Sequence, residues 1–255
     1  MRTGLWGALC AMLLAPLSVH TAEIDMAVGR SLPPYVIVEE WRGLEYDIVK
    51  EALALEGHTL KPRFMALARV YKELNSGLAD AAMTMRPDTG ATNLHFSDSH
   101  VTYRNYAISL AKRDLKIASI EDLAGKSIVA FQNANLYLGP AYKVAIENNP
   151  RYREEAKQAV QPTLLFLERI DVVVADHNIF GWFAGDPEVK AKVDTKQPVR
   201  FHAIFPPTDY HVAFRRRDLR DDFNRGLKKL RDGGGYDRIV AQYSGFLKEE
   251  GGLSR

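Results

Sequence analysis

Cysteine is almost missing from this 255-residue chain: the one present, Cys10, sits inside an N-terminal apolar run. Once that run is cleaved off, a framework of disulfides, a catalytic thiolate and a cysteine-based metal site are all excluded. Charge of one sign is also missing, because 34 basic and 32 acidic residues leave a formal charge of +2. That balance gives no electrostatic footprint for nucleic acid, which asks for a clustered basic face. Beyond the first 22 residues no apolar stretch approaches the length of a membrane span. Low-complexity segments and repeats of solenoid period are absent as well.

What is present is an ordinary globular composition, 46% hydrophobic and 26% charged, in a chain long enough for two cores. At the N-terminus, Arg2 precedes an apolar run over residues 5–17 and a short stretch of small and polar residues. That order of features reads as a cleaved secretory signal covering residues 1–22. Cleavage after Ala22 leaves an exported chain without cysteine.

One strand-like pattern occurs twice. Tyr106-Ala-Ile-Ser-Leu-Ala-Lys-Arg-Asp114 and Tyr210-His-Val-Ala-Phe-Arg-Arg-Arg-Asp218 are apolar strands that run into basic residues and end in Asp. Strand and helix patterns alternate in the chain between and around them, which implies α/β layers. A chain that leaves one α/β lobe by such a strand and returns by its match makes two lobes with a cleft between them. The expected division is 23–108 for the first lobe, 109–208 for the second, and 209–255 for the return to the first.

The finer reading places strands at 23–30, 36–38, 59–65, 79–85, 126–131 and 170–176. Helices are expected at 43–56, 68–75, 178–183, 219–230 and 236–246, a helical turn at 119–123, and helix-compatible sequence up to 169. Pro33 and Pro34 force a turn before Tyr35. The triplet Gly233-Gly234-Gly235 breaks the last two helices and has no basic residue poised after it as a phosphate loop would.

Seven short motifs then resemble, in order, the bacterial extracellular solute-binding proteins of the polar-amino-acid class, family three. They are Pro33-Pro-Tyr35, Gly43-Leu-Glu-Tyr-Asp47, Leu74-Asn-Ser-Gly-Leu-Ala-Asp80, Phe96-Ser-Asp98, Leu123-Ala-Gly-Lys-Ser-Ile-Val-Ala130, Asp171-Val-Val-Val-Ala-Asp176 and the stretch from Gly233 to Tyr243. The resemblance implies a two-lobed periplasmic-binding-protein-like fold of type II, with two α/β lobes joined by two crossing hinge strands. It also implies a monomer in the periplasm, closure on a small polar ligand such as an amino acid, and delivery to an inner-membrane ABC permease. It implies neither a cofactor nor a metal. His95, Asp98 and His100 lie close in sequence but lack a third well-spaced ligand.

Candidate ligand-binding residues follow from where strands end and helices begin, since free N–H groups gather there. Asp176 ends a strand of four apolar residues and can meet an ammonium group while also capping the next helix. By resemblance it falls on the position that grips the α-amino group of amino-acid ligands. Thr84 and Arg86 end the strand at 79–85, and the guanidinium of Arg86 offers a planar fork for a carboxylate. The arginine usual in the family stands where this chain has Thr89 and Gly90, which leaves Arg86 as either its substitute or a surface arginine. Asn133 and Asn135 form the turn that faces Asp176 from the second lobe. Tyr35, Trp41 and Tyr103 can stack on a ligand, and Arg69 lies at a helix start near the cleft.

Two other function classes share this fold. One is a dehydratase acting on cyclohexadienyl acids or arogenate, with Glu45, Glu168 or Asp176 as its acid. The other is a sensory binding protein that reports to a separate membrane receptor.

Overall fold

The computed structural model describes residues 21–30, 32–87 and 93–243. The expected secretory signal, Thr89, Gly90 and the end of the last expected helix lie outside or run beyond those residues.

Two sheets carry the chain. The first contains β1 (Glu23–Gly29), β2 (Thr59–Met65), β3 (Ala81–Met85), β4 (His95–Phe96), β5 (Val101–Tyr103) and a late strand, β11 (Thr208–Phe214). Its order is β2-β1-β3-β11-β4, with β5 also paired to β11. The second contains β6 (Asn105–Leu110), β7 (Ile128–Phe131), β8 (Tyr152–Glu155), β9 (Val172–Asp176) and β10 (Val199–His202), in the order β10-β6-β9-β7-β8. In each sheet two of the strand pairings are parallel and the rest antiparallel.

Alternation along the strands decides which face each residue covers. In the first sheet Ile24, Met26 and Val28 of β1 join one core with α1 (Leu44–Ala54), α8 (Arg217–Asp232) and α9 (Gly235–Tyr243). Ala27, between them, faces the opposite core with Val70 and Leu74 of α2 (Leu67–Asn75). In the second sheet Val172 and Val174 of β9 face one core, and Val173 and Ala175 face the other. A strand buried on both faces reads as a continuous apolar run, which is why β9 is so plain in the sequence.

The remaining helices belong to the second sheet: α3 (Ala134–Tyr137), α4 (Pro140–Glu147), α5 (Val160–Phe166), α6 (His177–Ala184) and α7 (Pro187–Lys190). Among them α6 reaches across. Its Ile179 is buried in the first sheet's core, with Trp182 and Phe183 packed against the same cluster.

The two matching segments are not paired with each other. Tyr106 to Leu110 lies within the second sheet and Tyr210 to Phe214 within the first. The crossings fall before them, at Arg104 between β5 and β6 and over residues 203–207 between β10 and β11. Side by side, Tyr103 pairs with Thr208 on one side of the crossing and Ala107 with His202 on the other.

Two local expectations are corrected. Residues 36–38 are not a strand: Val36 and Ile37 make single bridges to Leu32 and Arg42, and a 3-10 turn follows at Val38–Glu40. The prolines before them leave too few consecutive extended residues for a ladder. The polar stretch Tyr152–Glu155, read as helix-compatible, is instead the edge strand β8 beside β7.

Candidate functional site

Asp176 stands at the last position of β9, where the strand gives way to α6. Its carboxylate caps that helix by accepting the N–H groups of Asn178 (2.9 Å) and Ile179 (3.1 Å). The N–H of Arg104, the crossing residue itself, donates to the second oxygen at 2.8 Å. In return the Arg104 carbonyl accepts from the N–H of His177 at 3.1 Å. The crossing and the site are thus one hydrogen-bonded unit.

From the first sheet, the Tyr35 hydroxyl lies 3.1 Å from both oxygens of Asp176. The Asn178 side chain donates to the same hydroxyl at 3.1 Å. Only 3% of Asp176 is exposed, and burial raises its pKa above the ordinary carboxylate range, against the opposing pull of His177. Burial, reinforced by Asp176, pushes the Tyr35 phenol well up. The phenol therefore stays neutral and acts as a donor.

Tyr35 also stacks on Tyr103, with ring centroids 3.8 Å apart and planes 18° from parallel. Tyr103 meets Tyr210 edge-on at 4.7 Å. Its hydroxyl donates to Glu45 at 3.0 Å. Glu45, at the start of α1, is fully buried. It accepts from the N–H and hydroxyl of Thr84, each at 2.9 Å, and lies 2.9 Å from His100 Nε2. Among the described residues, His100 Nδ1 has no hydrogen-bond partner.

Thr84 explains why this carboxylate is needed. The pairing of β3 with β11 shifts register opposite this segment, and Thr84 has φ of 57°, a left-handed value uncommon for a β-branched residue. The irregularity turns the Thr84 N–H toward Glu45, whose carboxylate satisfies it. Backbone strain of this kind gathers at sites.

The expected residues separate into three groups. Tyr35, Thr84 and Asp176 lie in one buried polar network, linked through Glu45 and Tyr103. Arg86, half-buried just beyond β3, is near enough to Tyr210 to act on it: burial pushes that phenol up to about 12, and the Arg86 charge opposes the rise. Arg69 is exposed and lies outside that network, in a surface pocket with Arg30, Arg63 and Glu73. Trp41 is 57% exposed and meets Phe64, a residue of that same pocket, edge-on at 5.4 Å.

Asn133 and Asn135 are not part of this network. Their N–H groups do converge on an anion, but it is the chain's own Glu154, at 2.7 and 3.0 Å, which Tyr152 holds in place at 2.7 Å. The donors expected to face a ligand are satisfied from β8.

His100, Tyr210, Asn178 and Arg30 are not singled out as ligand-site residues by the sequence, and Glu45 only as a candidate acid for dehydratase chemistry. Glu45 reads as an ordinary first-turn acid on a helix, although its flanking apolar neighbours Leu44 and Tyr46 are a signal of burial. His100 had only metal binding to suggest it; instead it turns inward to Glu45. Among the described residues no group of three His, Cys, Asp or Glu side chains converges as a metal site.

Comparison with known proteins bears on this geometry. The profile of bacterial extracellular solute-binding proteins, family 3, matches residues 24–246. No curated protein matches the chain. Among solved structures, the chain is similar to a histidine kinase sensor domain with similarity to periplasmic binding proteins, at 18% identity, covering 87% of this chain and 96% of that one with a TM-score of 0.66. It is also similar to the amino acid ABC transporter substrate-binding protein AbpA from Streptococcus pneumoniae, solved with L-arginine, at 18% identity, 87% and 94% coverage and a TM-score of 0.62. A third is a mutant of ArgBP from T. maritima, at 20% identity, 87% and 94% coverage and a TM-score of 0.63. At these identities the likeness establishes the two-lobed fold.

Proposed function

The chain belongs to the bacterial extracellular solute-binding proteins, family 3, and from that premise we propose that it captures a small amine-bearing polar solute between its lobes for an ABC transporter. Export through the N-terminal signal and action as a periplasmic monomer belong to the same reading. So does a division of the chain into two lobes that changes over at the crossings, Arg104 and residues 203–207, a few residues before the boundaries expected at 108 and 208.

One observation carries it. Asp176 is a buried carboxylate of the second sheet, turned toward the first and bonded at its crossing residue. Three of its partners are backbone N–H groups that hold it in place, and the fourth is a neutral hydroxyl from the opposite lobe. An ammonium group is a stronger partner for a buried carboxylate than a phenol, because the hydrogen bond is charge-assisted. A ligand amine displaces the Tyr35 hydroxyl, and Tyr35, Tyr103, Tyr210 and Arg86 supply the surrounding wall. Opening at the paired crossings admits the ligand, and its contacts to both lobes favour the closed form that a permease reads.

A thermal-shift screen of the exported chain against amino acids, polyamines and organic acids tests this reading. Stabilisation by micromolar amounts of an amine-bearing solute, without turnover, is the expected result. Product formation from prephenate-like acids contradicts it and favours the dehydratase chemistry.

A further inference from the structure

The parallel strands β2, β1 and β3 end side by side, at Met65, Gly29 and Met85. Open α/β sheets take ligands in the crevice outside such carboxyl ends. The β1–β3 half of this edge carries Tyr35 and Thr84. The β1–β2 half opens into a pocket of about 370 Å³ lined by Arg30, Arg63, Phe64, Met65, Arg69 and Glu73.

Charge in this pocket is one-sided. Arg63 is neutralised by Glu73 at 2.5 Å and also donates to the Leu78 carbonyl. Arg30 donates to the Phe64 carbonyl at 3.0 Å, a neutral acceptor that leaves its charge in place. Among the described residues no carboxylate meets Arg30 or Arg69. Two exposed guanidiniums therefore share one concavity with no carboxylate paired to either among the described residues. The second lobe's turn is the converse, because its N–H pair at Asn133 and Asn135 is already closed by Glu154.

We propose that Arg30 and Arg69 form an anion subsite that takes an acidic group of the ligand, so that the solute is an acidic amine. This rests on the reading of the crevice as the ligand site. Guanidinium forks match carboxylate and phosphate alike, so the shared chemistry is an oxyanion. A ligand with a second cationic end meets like charge here and is disfavoured.

The test is calorimetric titration of the exported chain with L-glutamate, L-glutamine, L-arginine and inorganic phosphate, repeated with Arg30→Ala, Arg69→Ala and the double variant. Both side chains are exposed, so unchanged melting temperatures are expected for the variants. L-Glutamate is expected to bind roughly tenfold or more tightly than L-glutamine, and each substitution to cost about tenfold for L-glutamate while leaving L-glutamine unchanged. Binding of L-glutamine or L-arginine as tight as L-glutamate, or L-glutamate affinity unmoved in the double variant, overturns the subsite. Either of those outcomes leaves the Asp176 reading standing, since amine binding persists. If none of the three amino acids binds, phosphate decides: saturable binding lost in the double variant supports the subsite and a phosphorylated ligand, and its absence overturns it.

Discussion

The Tyr35 hydroxyl and the Asp176 carboxylate, 141 residues apart in sequence, are joined at 3.1 Å to each oxygen. This bond ties the first sheet to the second at the place where an amine is proposed to bind. Tyr35→Phe removes the hydroxyl and keeps the ring stacked on Tyr103. Loss of a buried donor to a carboxylate is expected to destabilise the protein by about 1–3 kcal/mol. The same variant is expected to bind an amine ligand severalfold more tightly, because no phenol must be displaced. Chemical denaturation and calorimetry read the two effects separately. Unchanged affinity shows that Tyr35 does not compete with the ligand.

Glu45 is the structural counterpart of Asp176 on the first lobe. Glu45→Ala strips the acceptor from the Thr84 N–H, the Thr84 and Tyr103 hydroxyls and His100. Leaving several buried polar groups unpaired is expected to cost about 3 kcal/mol or more. Urea denaturation measures it. A loss under about 1 kcal/mol means that the network relaxes into other partners.

Gly226 marks a close approach of α8 to α1. A Cβ at that position falls 1.9 Å from the Ala52 carbonyl oxygen. Gly226→Ala is expected to push the helices apart at a cost of about 1–3 kcal/mol, despite the better helix propensity of alanine. A melting temperature equal to or above that of the parent chain contradicts this packing.

High pH tests the burial of the tyrosines. Burial raises Tyr35 and Tyr103 well above the ordinary phenol value and Tyr210 to about 12. A group whose folded pKa is raised keeps its proton in the native state after the unfolded chain has released it. The contribution to stability is therefore fully present below about pH 10 and falls as pH rises from there toward 12 and beyond. Unfolding is expected to coincide with the rise in tyrosinate absorbance. Three additional phenols titrating near pH 10 in a still-folded protein contradict their burial.

Much of this arrangement was legible because it rests on runs of like residues. Val172 to Ala175 announce a strand buried on both faces, and Asp176 at its end is the first polar residue the chain can present. Pro33 and Pro34 announce the turn that delivers Tyr35. The irregularity at Thr84 left no mark, because it depends on a register shift against β11, more than a hundred residues away. The occupation of the Asn133–Asn135 turn by Glu154 was hidden for a related reason. Tyr152–Glu155 is a polar edge strand whose identity comes from pairing with β7 and not from its own propensity. Arg30 looked like any arginine after a strand, and only the pocket it shares with Arg69 gives it a role.

The most direct test is the affinity of Asp176→Asn for the amine-bearing solute identified by screening, compared with the parent chain across pH. Asparagine caps a helix nearly as well as aspartate, so the fold of α6 is retained while the charge is lost. The account predicts a loss of roughly hundredfold or more, as expected for a buried charge pair broken on one side. In the parent chain it predicts that binding weakens on acidification from above the ordinary carboxylate range, because the raised carboxyl takes up its proton early. Affinity within a factor of about two of the parent, with the same pH profile, contradicts the assignment of Asp176 as the group that holds the ligand.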